Sequence, residues 1–284
     1  MKILANDGIS ELGKALLEAA GHVVSTDKVS QDELINTINQ HGFDAVLVRS
    51  ATTVRKEVVD ACPGLRLIGR GGVGMDNIDV AYAREKGLTV INTPASSSQS
   101  VAELVMGQLF SISRFLHDSF KNMSSGDFST LKKNYAKGVE LRGKTIGIVG
   151  FGRIGQSLAA YALGAGMKVI AIERRARIQP ITLKIGGQTI EIPVKVVDNL
   201  HEVLQQLDYI SIHVPKQPDG SAVIGAKEFA LMKKGVRLVN AARGGVIDEQ
   251  ALLAALENGT VAAAALDVYD NEPNPLKELI NHPK

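Results

Sequence analysis

Residues 144–173 read KTIGIVGFGRIGQSLAAYALGAGMKVIAIE: an apolar run, a glycine turn, a helical pattern and a second apolar run. Gly150, Gly152 and Gly155 have the G-x-G-x-x-G spacing that lets a backbone approach a pyrophosphate at a helix N-terminus. The second run ends at Glu173, 18 residues after Gly155 (173 − 155), where a carboxylate can accept hydrogen bonds from a ribose. The stretch therefore predicts a βαβ unit that binds a dinucleotide. The carboxylate favours NAD, because it would repel the 2′-phosphate of NADP.

The same glycine spacing occurs a second time, as GRGGVG at residues 69–74, but its surroundings differ. The helix after it is predicted to be short and to begin near Asp79, and the next strand ends at the uncharged Asn92. We therefore predict that this segment is not a second dinucleotide site. Its glycines either let another small anion reach backbone N–H groups or form a tight loop without a ligand.

Short apolar runs alternate with amphipathic ones through most of the chain. The predicted strands are KILAN, HVVST, DAVLVRS, LRLIGR and TVINT in the first part, and TIGIVG, MKVIAIE, YISIHVP, VRLVNAA and AALDVY in the second. A long apolar helix from Ser100, SVAELVMGQLFSISRFLHDSF, interrupts the alternation. Strand–helix–strand order predicts parallel sheets with right-handed crossovers. We expect an α/β protein with two doubly wound parallel-sheet (Rossmann-like) domains, residues 1–98 and residues 99–284.

Composition limits the classes of partner. Lys and Arg number 32 against 30 Asp and Glu, which gives no reason to expect a nucleic-acid or membrane surface. Cys62 is the single cysteine of the sequence, so an internal disulfide is excluded and a reducing compartment is favoured. The N-terminus lacks a signal-peptide pattern, and no apolar run reaches membrane-spanning length. We expect a cytoplasmic protein, and we predict no metal site.

Seven stretches, in order along the chain, carry a resemblance to one family. They are VRSATTV (48–54), LIGRGGVGMDNIDV (67–80), NTPASSSQSVAELV (92–105), LRGKTIGIVGFGRIGQ (141–156), HVP (213–215), NAARGGVIDEQALLAAL (240–256) and AALDVYDNEP (264–273). Through them the chain resembles the D-isomer-specific 2-hydroxyacid dehydrogenases. The resemblance implies a flavodoxin-like substrate-binding domain followed by an NAD-binding Rossmann domain. It also implies hydride transfer between NAD and a D-2-hydroxy acid.

The resemblance assigns roles to individual residues. Arg243 matches the catalytic arginine and Glu272 the catalytic acid. Implied cofactor contacts are Gly150, Gly152, Arg153, Ile154, Gly155, Glu173, Val73, Val214, Pro215, Ala241, Ala242, Arg243 and Asp267. A guanidinium can bind a carboxylate through two hydrogen bonds and polarise a carbonyl, which suits the role given to Arg243. The simpler alternatives are an ion pair of Arg243 with Asp248 or Glu249, and a surface carboxylate at Glu272.

Substrate contacts are implied for Arg49, Ser50, Arg70, Val73 and Gly74, and the loop at residues 69–74 is expected to face the cofactor. Two guanidiniums at strand ends suit a phosphate dianion. The resemblance, together with this charge, implies a phosphorylated 2-hydroxy acid as substrate: D-3-phosphoglycerate, oxidised to 3-phosphohydroxypyruvate in serine biosynthesis. The alternatives are a dehydrogenase for another D-2-hydroxy acid, such as glycerate or lactate, and a non-catalytic NADH-binding sensor or corepressor on the same scaffold.

Two features depart from the family pattern. The general-base histidine of the family lies in a PHIGA-type stretch, which we expect beyond residue 284 together with a helix that completes the first domain. The segment ITLKIGGQTIEIPV (181–194) is longer than the loop of most members. Its Gly-Gly turn predicts a hairpin with one apolar face, which pairs Leu183 with Ile190 and Ile181 with Ile192. A surface flap and an oligomer contact both remain open for this hairpin.

Two further expectations concern the cofactor preference and the assembly. Arg174 and Arg175 directly follow Glu173, where they either weaken the preference for NAD or are solvated surface charges. The apolar helix from Ser100 and the arm-like segment at residues 126–141 predict a homodimer, which the resemblance also implies.

Overall fold

The computed structural model describes residues 1–124 and 126–284. The chain divides into two compact units, Met1–Ser97 and Ser98–Lys284, and each unit is built around its own β-sheet. Within the described ranges, no helix is both long enough and apolar enough to cross a bilayer.

The first unit is a parallel sheet of five strands with helical crossovers. Its strands are β1 (Lys2–Ala5), β2 (Val23–Ser25), β3 (Ala45–Val48), β4 (Leu67–Arg70) and β5 (Thr89–Asn92). Its helices are α1 (Glu11–Ala19), α2 (Leu34–His41), α3 (Lys56–Ala61) and α4 (Val80–Glu85). The strand order is β2-β1-β3-β4-β5, the flavodoxin-like doubly wound order. The short, late helix predicted after the first glycine motif is confirmed as α4, which begins after Asp79.

The second unit begins with three helices and continues as an α/β sheet. The helices before the sheet are α5 (Ser98–Arg114), α6 (Leu116–Asn122) and α7 (Phe128–Tyr135). The strands are β6 (Thr145–Val149), β7 (Lys168–Ile172), β8 (Arg177–Ile185), β9 (Gln188–Val197), β10 (Tyr209–Ile212), β11 (Val236–Asn240) and β12 (Val261–Leu266). The helices between and after them are α8 (Arg153–Gly164), α9 (Ala226–Leu231), α10 (Glu249–Glu257) and α11 (Lys277–Ile280), with a 3-10 turn at Leu204–Gln206.

The order of the second sheet is β12-β11-β10-β6-β7-β9-β8. From β6 the chain first moves outward through β7 to the edge strand β8 and comes back along β9. It then crosses to the other side of β6 and continues through β10, β11 and β12. This is the classical Rossmann order, with β8 added at one edge. The direction reverses between β6 and β10, and ligands of open α/β sheets bind at such a switch point, outside the carboxyl ends of the strands. The predicted α/β fold class is thereby confirmed.

The prediction of one long helix from Ser100 is wrong in its second half. Helix α5 ends at Arg114, Phe115 has a left-handed φ of 57°, and α6 follows at once. The carbonyl of Ser113 accepts a hydrogen bond from the N–H of Val139 at 3.0 Å, so it is not available to continue the helix. The buried Ser113 hydroxyl lies 2.8 Å from the Tyr209 hydroxyl, which ties the end of α5 to the sheet.

The predicted hairpin at residues 181–194 is confirmed, with both predicted pairs, Ile181–Ile192 and Leu183–Ile190. Strand β8 pairs antiparallel with β9, and the last residues of β9 pair parallel with β7. The hairpin therefore extends the Rossmann sheet and is not a separate flap. One face of it, formed by Ile181, Leu183, Val194 and Val196, is buried in the core.

Candidate functional site

The glycine turn at residues 150–155 has the geometry of a dinucleotide-binding loop. Gly150 has a φ of 94°, and a Cβ on it would lie 2.6 Å from the carbonyl oxygen of His213. A Cβ on Gly155 would collide with the carbonyl oxygen of Gly150, so only glycine allows α8 to pack this close to β6. Around Gly152, in contrast, a Cβ would meet no atom within 4 Å. The turn therefore combines two tightly packed glycines with one that faces open space, where a pyrophosphate can approach the backbone.

Helix α8 starts directly from this turn. Gly152 is its N-cap residue, and Arg153 and Ile154 form the first turn, whose backbone N–H groups have no partner inside the helix. The positive end of the helix dipole adds to the attraction for an anion. The residues of the turn thus fit a dinucleotide, with the pyrophosphate on the N-terminus of α8.

Glu173 follows the end of β7 at the carboxyl edge of the sheet. Its backbone N–H donates to the carbonyl of Val197 at 2.9 Å. Its Oε2 accepts a hydrogen bond from Nη2 of Arg177 at 2.6 Å, in an ion pair that sequence reasoning did not foresee. The predicted ribose-binding carboxylate therefore has a fixed cationic partner at the start of β8.

The segment after β10 lies against the glycine turn. His213 donates its backbone N–H to the carbonyl of Val149 at 2.7 Å, while its ring Nε2 lies 2.8 Å from the Ser211 hydroxyl. Burial lowers the pKa of His213 to about 4, so its ring remains neutral near pH 7 and is poorly suited to accept a proton there. Val214 is half-buried and close to Gly150, whereas Pro215 is exposed.

The loop after β11 carries Arg243, and the buried side chain of Asn240 fixes its shape. Oδ1 of Asn240 accepts from the N–H of Ala242 at 3.0 Å, and its Nδ2 donates to the carbonyl of Arg243 at 2.9 Å. The guanidinium of Arg243 donates to the carbonyl of Ala242 at 2.6 Å. Ala241, Ala242 and Arg243 are all half-buried at this edge of the sheet.

The loop after β12, which carries Asp267 and Glu272, is held against the Arg243 loop. The N–H of Asp267 donates to the carbonyl of Asn240 at 2.9 Å. Gly244 lies so close to the carbonyl of Tyr269 that a Cβ on it would overlap that oxygen. Oε1 of Glu272 accepts from the N–H of Tyr269 at 2.8 Å. Arg243 and Glu272 thus lie on two loops that are held together by a backbone hydrogen bond and by close packing at Gly244.

The carboxylates proposed as alternative partners of Arg243 have structural roles of their own. Asp248 is the N-cap of α10 and accepts from the N–H of Ala251 at 3.0 Å. Glu249 accepts from the N–H of Asp270 at 2.7 Å, which adds a further connection between the two loops.

In the first unit, Asn77 connects the two arginines predicted to bind substrate. Its Oδ1 accepts from Nε of Arg70 at 3.0 Å, and its Nδ2 donates to the carbonyl of Arg49 at 2.9 Å. Arg49 and Arg70 line a cavity of about 630 Å³ at the carboxyl ends of β1, β3, β4 and β5. Ser50 is exposed beside Arg49.

The other predicted residues of this unit lie in the loop after β4. The carbonyl of Val73 accepts from the side chain of Asn92 at 2.7 Å, and Gly74 is half-buried next to it. Val73 is the one predicted cofactor contact that belongs to the first unit, since all the others lie in the second.

A carboxylate that sequence reasoning missed shapes the Arg49 segment. Burial acts to raise the pKa of Asp7. Hydrogen bonds from the Thr52 hydroxyl and from the N–H groups of Arg49 and Thr52 outweigh it and lower the pKa below its usual value. Asp7 is therefore ionised near neutral pH and fixes the loop from which the Arg49 side chain extends. Nothing in its local sequence, KILANDG, distinguishes this role from that of a surface turn residue.

Comparison with known proteins agrees with this geometry. Residues 106–284 match the family described as D-isomer specific 2-hydroxyacid dehydrogenase, NAD binding domain. A D-3-phosphoglycerate dehydrogenase of Methanocaldococcus jannaschii is 40% identical over 284 residues, which cover 99% of this chain and 52% of the relative. A hydroxypyruvate reductase of Thermotoga maritima is 39% identical over 279 residues, which cover 98% of this chain and 85% of the relative.

A similar solved structure is that of an acyclic imino acid reductase in complex with NADPH and D-Arg. It superposes with a TM-score of 0.79 at 28% identity, over 98% of this chain and 87% of that protein. The chain spans about half the length of the phosphoglycerate dehydrogenases that it matches. It belongs to the D-isomer specific 2-hydroxyacid dehydrogenase family, and its second unit contains the NAD-binding domain of that family.

Proposed function

We propose that the protein oxidises a phosphorylated D-2-hydroxy acid with NAD, and that D-3-phosphoglycerate is its substrate. The main observation that supports this reaction is the conformation of the loop after β11, which carries Arg243. Asn240 holds Arg243 at the same sheet edge as the glycine turn, and the Glu272 loop is joined to it. This arrangement provides a cation for a carboxylate substrate next to a dinucleotide site.

Bound NAD supplies the acceptor for the hydride that leaves the 2-carbon of the substrate. The first turn of α8 would hold the pyrophosphate through backbone N–H groups, and Glu173 would accept hydrogen bonds from the adenosine ribose. Arg243 binds the substrate carboxylate through two hydrogen bonds and polarises the oxygen on the reacting carbon. The hydroxyl proton would pass to the general-base histidine that the family resemblance implies beyond residue 284. Glu272, on the adjoining loop, would orient its imidazole and stabilise its protonated form.

The open space at Gly152 generates the first prediction. Gly152→Ala should fold normally, because its Cβ meets no protein atom within 4 Å, but it should weaken NADH binding by about tenfold or more, since the methyl occupies the path of the pyrophosphate. The measurement is a fluorescence titration with NADH, with thermal unfolding to confirm the fold. Gly164→Ala is the matched control, because it lies at the end of α8 with equally open surroundings. Unchanged NADH affinity in Gly152→Ala would contradict the assignment of the turn.

The second prediction concerns Arg243. Arg243→Lys should lower kcat/KM by roughly 10- to 100-fold, because a lysine ammonium cannot reproduce a bidentate guanidinium–carboxylate contact. The affinity for NADH should change much less. Arg142→Lys, at a surface arginine whose side chain is 78% exposed, is the control and should retain full activity. An unchanged kcat/KM in Arg243→Lys, measured in protein that includes the general-base histidine expected beyond residue 284, would contradict the role given to Arg243.

The substrate proposal rests on the first unit. Arg49 and Arg70 border one cavity, so its lining includes two positively charged residues besides the Asp7 carboxylate. That charge suits a phosphorylated acid. The chain is similar to a hydroxypyruvate reductase over 85% of that protein's length, so an unphosphorylated substrate is the second candidate.

The third prediction separates these two substrates. Arg49→Ala should lower kcat/KM for 3-phosphoglycerate by roughly 10- to 100-fold more than for D-glycerate, because it removes a charged hydrogen bond worth about 1.5–3 kcal/mol. The assay follows NADH formation with both acids in parallel. Arg55→Ala, which removes a half-exposed arginine paired with Asp79, is the control. An equal loss of kcat/KM for the two acids would contradict a phosphorylated substrate. It would be compatible with oxidation of another 2-hydroxy acid.

We also propose that the protein is a homodimer, in agreement with the apolar surface of helices α5 to α7. On α6 and α7, Phe120 is 92% exposed, Phe128 64% and Leu116 52%. We infer that these side chains form one contiguous apolar patch, which is what marks an interface, whereas singly exposed apolar residues do not. The Tyr135 hydroxyl donates to Asp118 at 2.6 Å and so connects α7 to α6.

The fourth prediction is therefore a dimer at micromolar concentration by size-exclusion chromatography with light scattering. Phe120→Asp should shift it toward the monomer, because the partner would have to bury a charge. Leu16→Asp, at a similarly exposed apolar position on α1, should leave the mass unchanged. A monomeric mass for the unmodified protein would refute the proposal.

A further inference from the structure

The ion pair between Glu173 and Arg177 lies at the position where the adenosine ribose of a bound dinucleotide is expected. Nη2 of Arg177 donates to Oε2 of Glu173 at 2.6 Å, and about a third of each side chain is exposed. An ion pair with this exposure contributes little to folding stability. Its effect is on the orientation and the charge of the carboxylate.

Arg177 is itself oriented by two further hydrogen bonds. Its Nη1 donates to the carbonyl of Arg175 at 3.2 Å, and its Nε donates to Oε1 of Gln179 at 3.3 Å. The three contacts use different nitrogens of one planar group, so the guanidinium is held with a defined edge toward Glu173. Such a contact set fixes a side chain more closely than a single surface ion pair does.

The hairpin is what brings Arg177 to this place. Arg177 pairs with Val196, near the end of β9, and β9 runs parallel to β7. The guanidinium is therefore at the carboxyl edge of the sheet, beside the end of β7 where Glu173 lies. Within the described part of the chain, the hydrogen bond from Arg177 involves only Oε2 of that carboxylate. Oε1 remains available to a ribose hydroxyl.

We propose that Arg177 is a specificity-determining residue for the 2′-substituent of the dinucleotide. It orients the Glu173 carboxylate toward the ribose hydroxyls, and it places a cation next to the position that a 2′-phosphate would occupy. While Glu173 is present, the carboxylate neutralises this cation and repels the phosphate. Without Glu173, the guanidinium is free to bind the phosphate. This inference rests on the proposed NAD site, and it adds that the preference can be inverted by one substitution.

The test compares NADPH affinities in two variants. Glu173→Ala should bind NADPH more tightly than NADH, because Arg177 is released to form charged hydrogen bonds with the 2′-phosphate. The double variant Glu173→Ala/Arg177→Ala should lose that gain, with NADPH binding weakened by roughly tenfold relative to Glu173→Ala. NADH affinity should be the same in both variants within about twofold, because neither then has an ion pair to orient a carboxylate. Fluorescence titration measures all four dissociation constants.

The matched control is Glu173→Ala/Arg174→Ala. It removes an arginine that is equally close to Glu173 in sequence, and in the described residues the Glu173 carboxylate bonds to Arg177 and not to Arg174. This control should keep the NADPH gain. If Arg177→Ala disturbs the hairpin, Arg177→Gln serves instead, because a glutamine amide can still donate to the carbonyl of Arg175 without the charge. Thermal unfolding of each variant reports on its fold.

The outcomes distinguish a failure of the role proposed for Arg177 from a failure of the proposed NAD site. Equal NADPH affinity in Glu173→Ala and in the Arg177 double variant would overturn the role of Arg177 and leave the NAD site intact. Loss of the NADPH gain in the Arg174 control to the same extent would also overturn it, because any nearby charge would then suffice. An unmodified protein that binds neither dinucleotide would refute the NAD site itself, and the inference with it.

Discussion

The close approach of α8 to the end of β6 is the constraint on which the candidate cofactor site depends. Gly155 packs on the carbonyl of Gly150, and Gly150 in turn packs on the carbonyl of His213, so neither position has room for a side chain. This packing aims the N-terminus of α8 along the carboxyl edge of the sheet. It also brings the ends of β6 and β10 together at the point where the strand order reverses. The backbone N–H groups at the N-terminus of α8 can therefore attract an anion to that edge without help from a charged side chain.

Side-chain amides organise the chemistry around this backbone. Asn240 is buried and hydrogen-bonds twice to the backbone of the loop that carries Arg243, so these contacts fix the conformation from which the arginine side chain extends. In the first unit, Asn77 bridges Arg70 to the backbone of Arg49 in a similar way. An asparagine amide both donates and accepts, which lets one neutral side chain fix two segments without opposing the charge of the arginine it positions. The two asparagines therefore add no charge of their own beside the arginines.

Features set by short-range sequence could be predicted, and those that depend on distant partners could not. The Gly-Gly turn at residues 186–187 fixes the hairpin register, so the pairing of Ile181 with Ile192 followed from the sequence. The break at Phe115 did not, because the N–H that occupies the Ser113 carbonyl belongs to Val139, 26 residues away (139 − 113). Asp7 was missed for the same reason, since its partners come from the loop after β3.

Glu173 could be predicted from the sequence, but its ion pair with Arg177 could not. The fingerprint predicts the acidic position at the end of β7, and Arg174 and Arg175 are the basic residues that follow it directly in sequence. Strand β8 begins at Arg177 and turns back along β9, so the third arginine is the one whose guanidinium meets the carboxylate. An i, i+4 spacing outside a helix carries no signal for such a contact. The extension of the sheet that the hairpin provides thus determines which charge faces the ribose position, and the cofactor preference of this site is a property of the added strand as much as of the fingerprint.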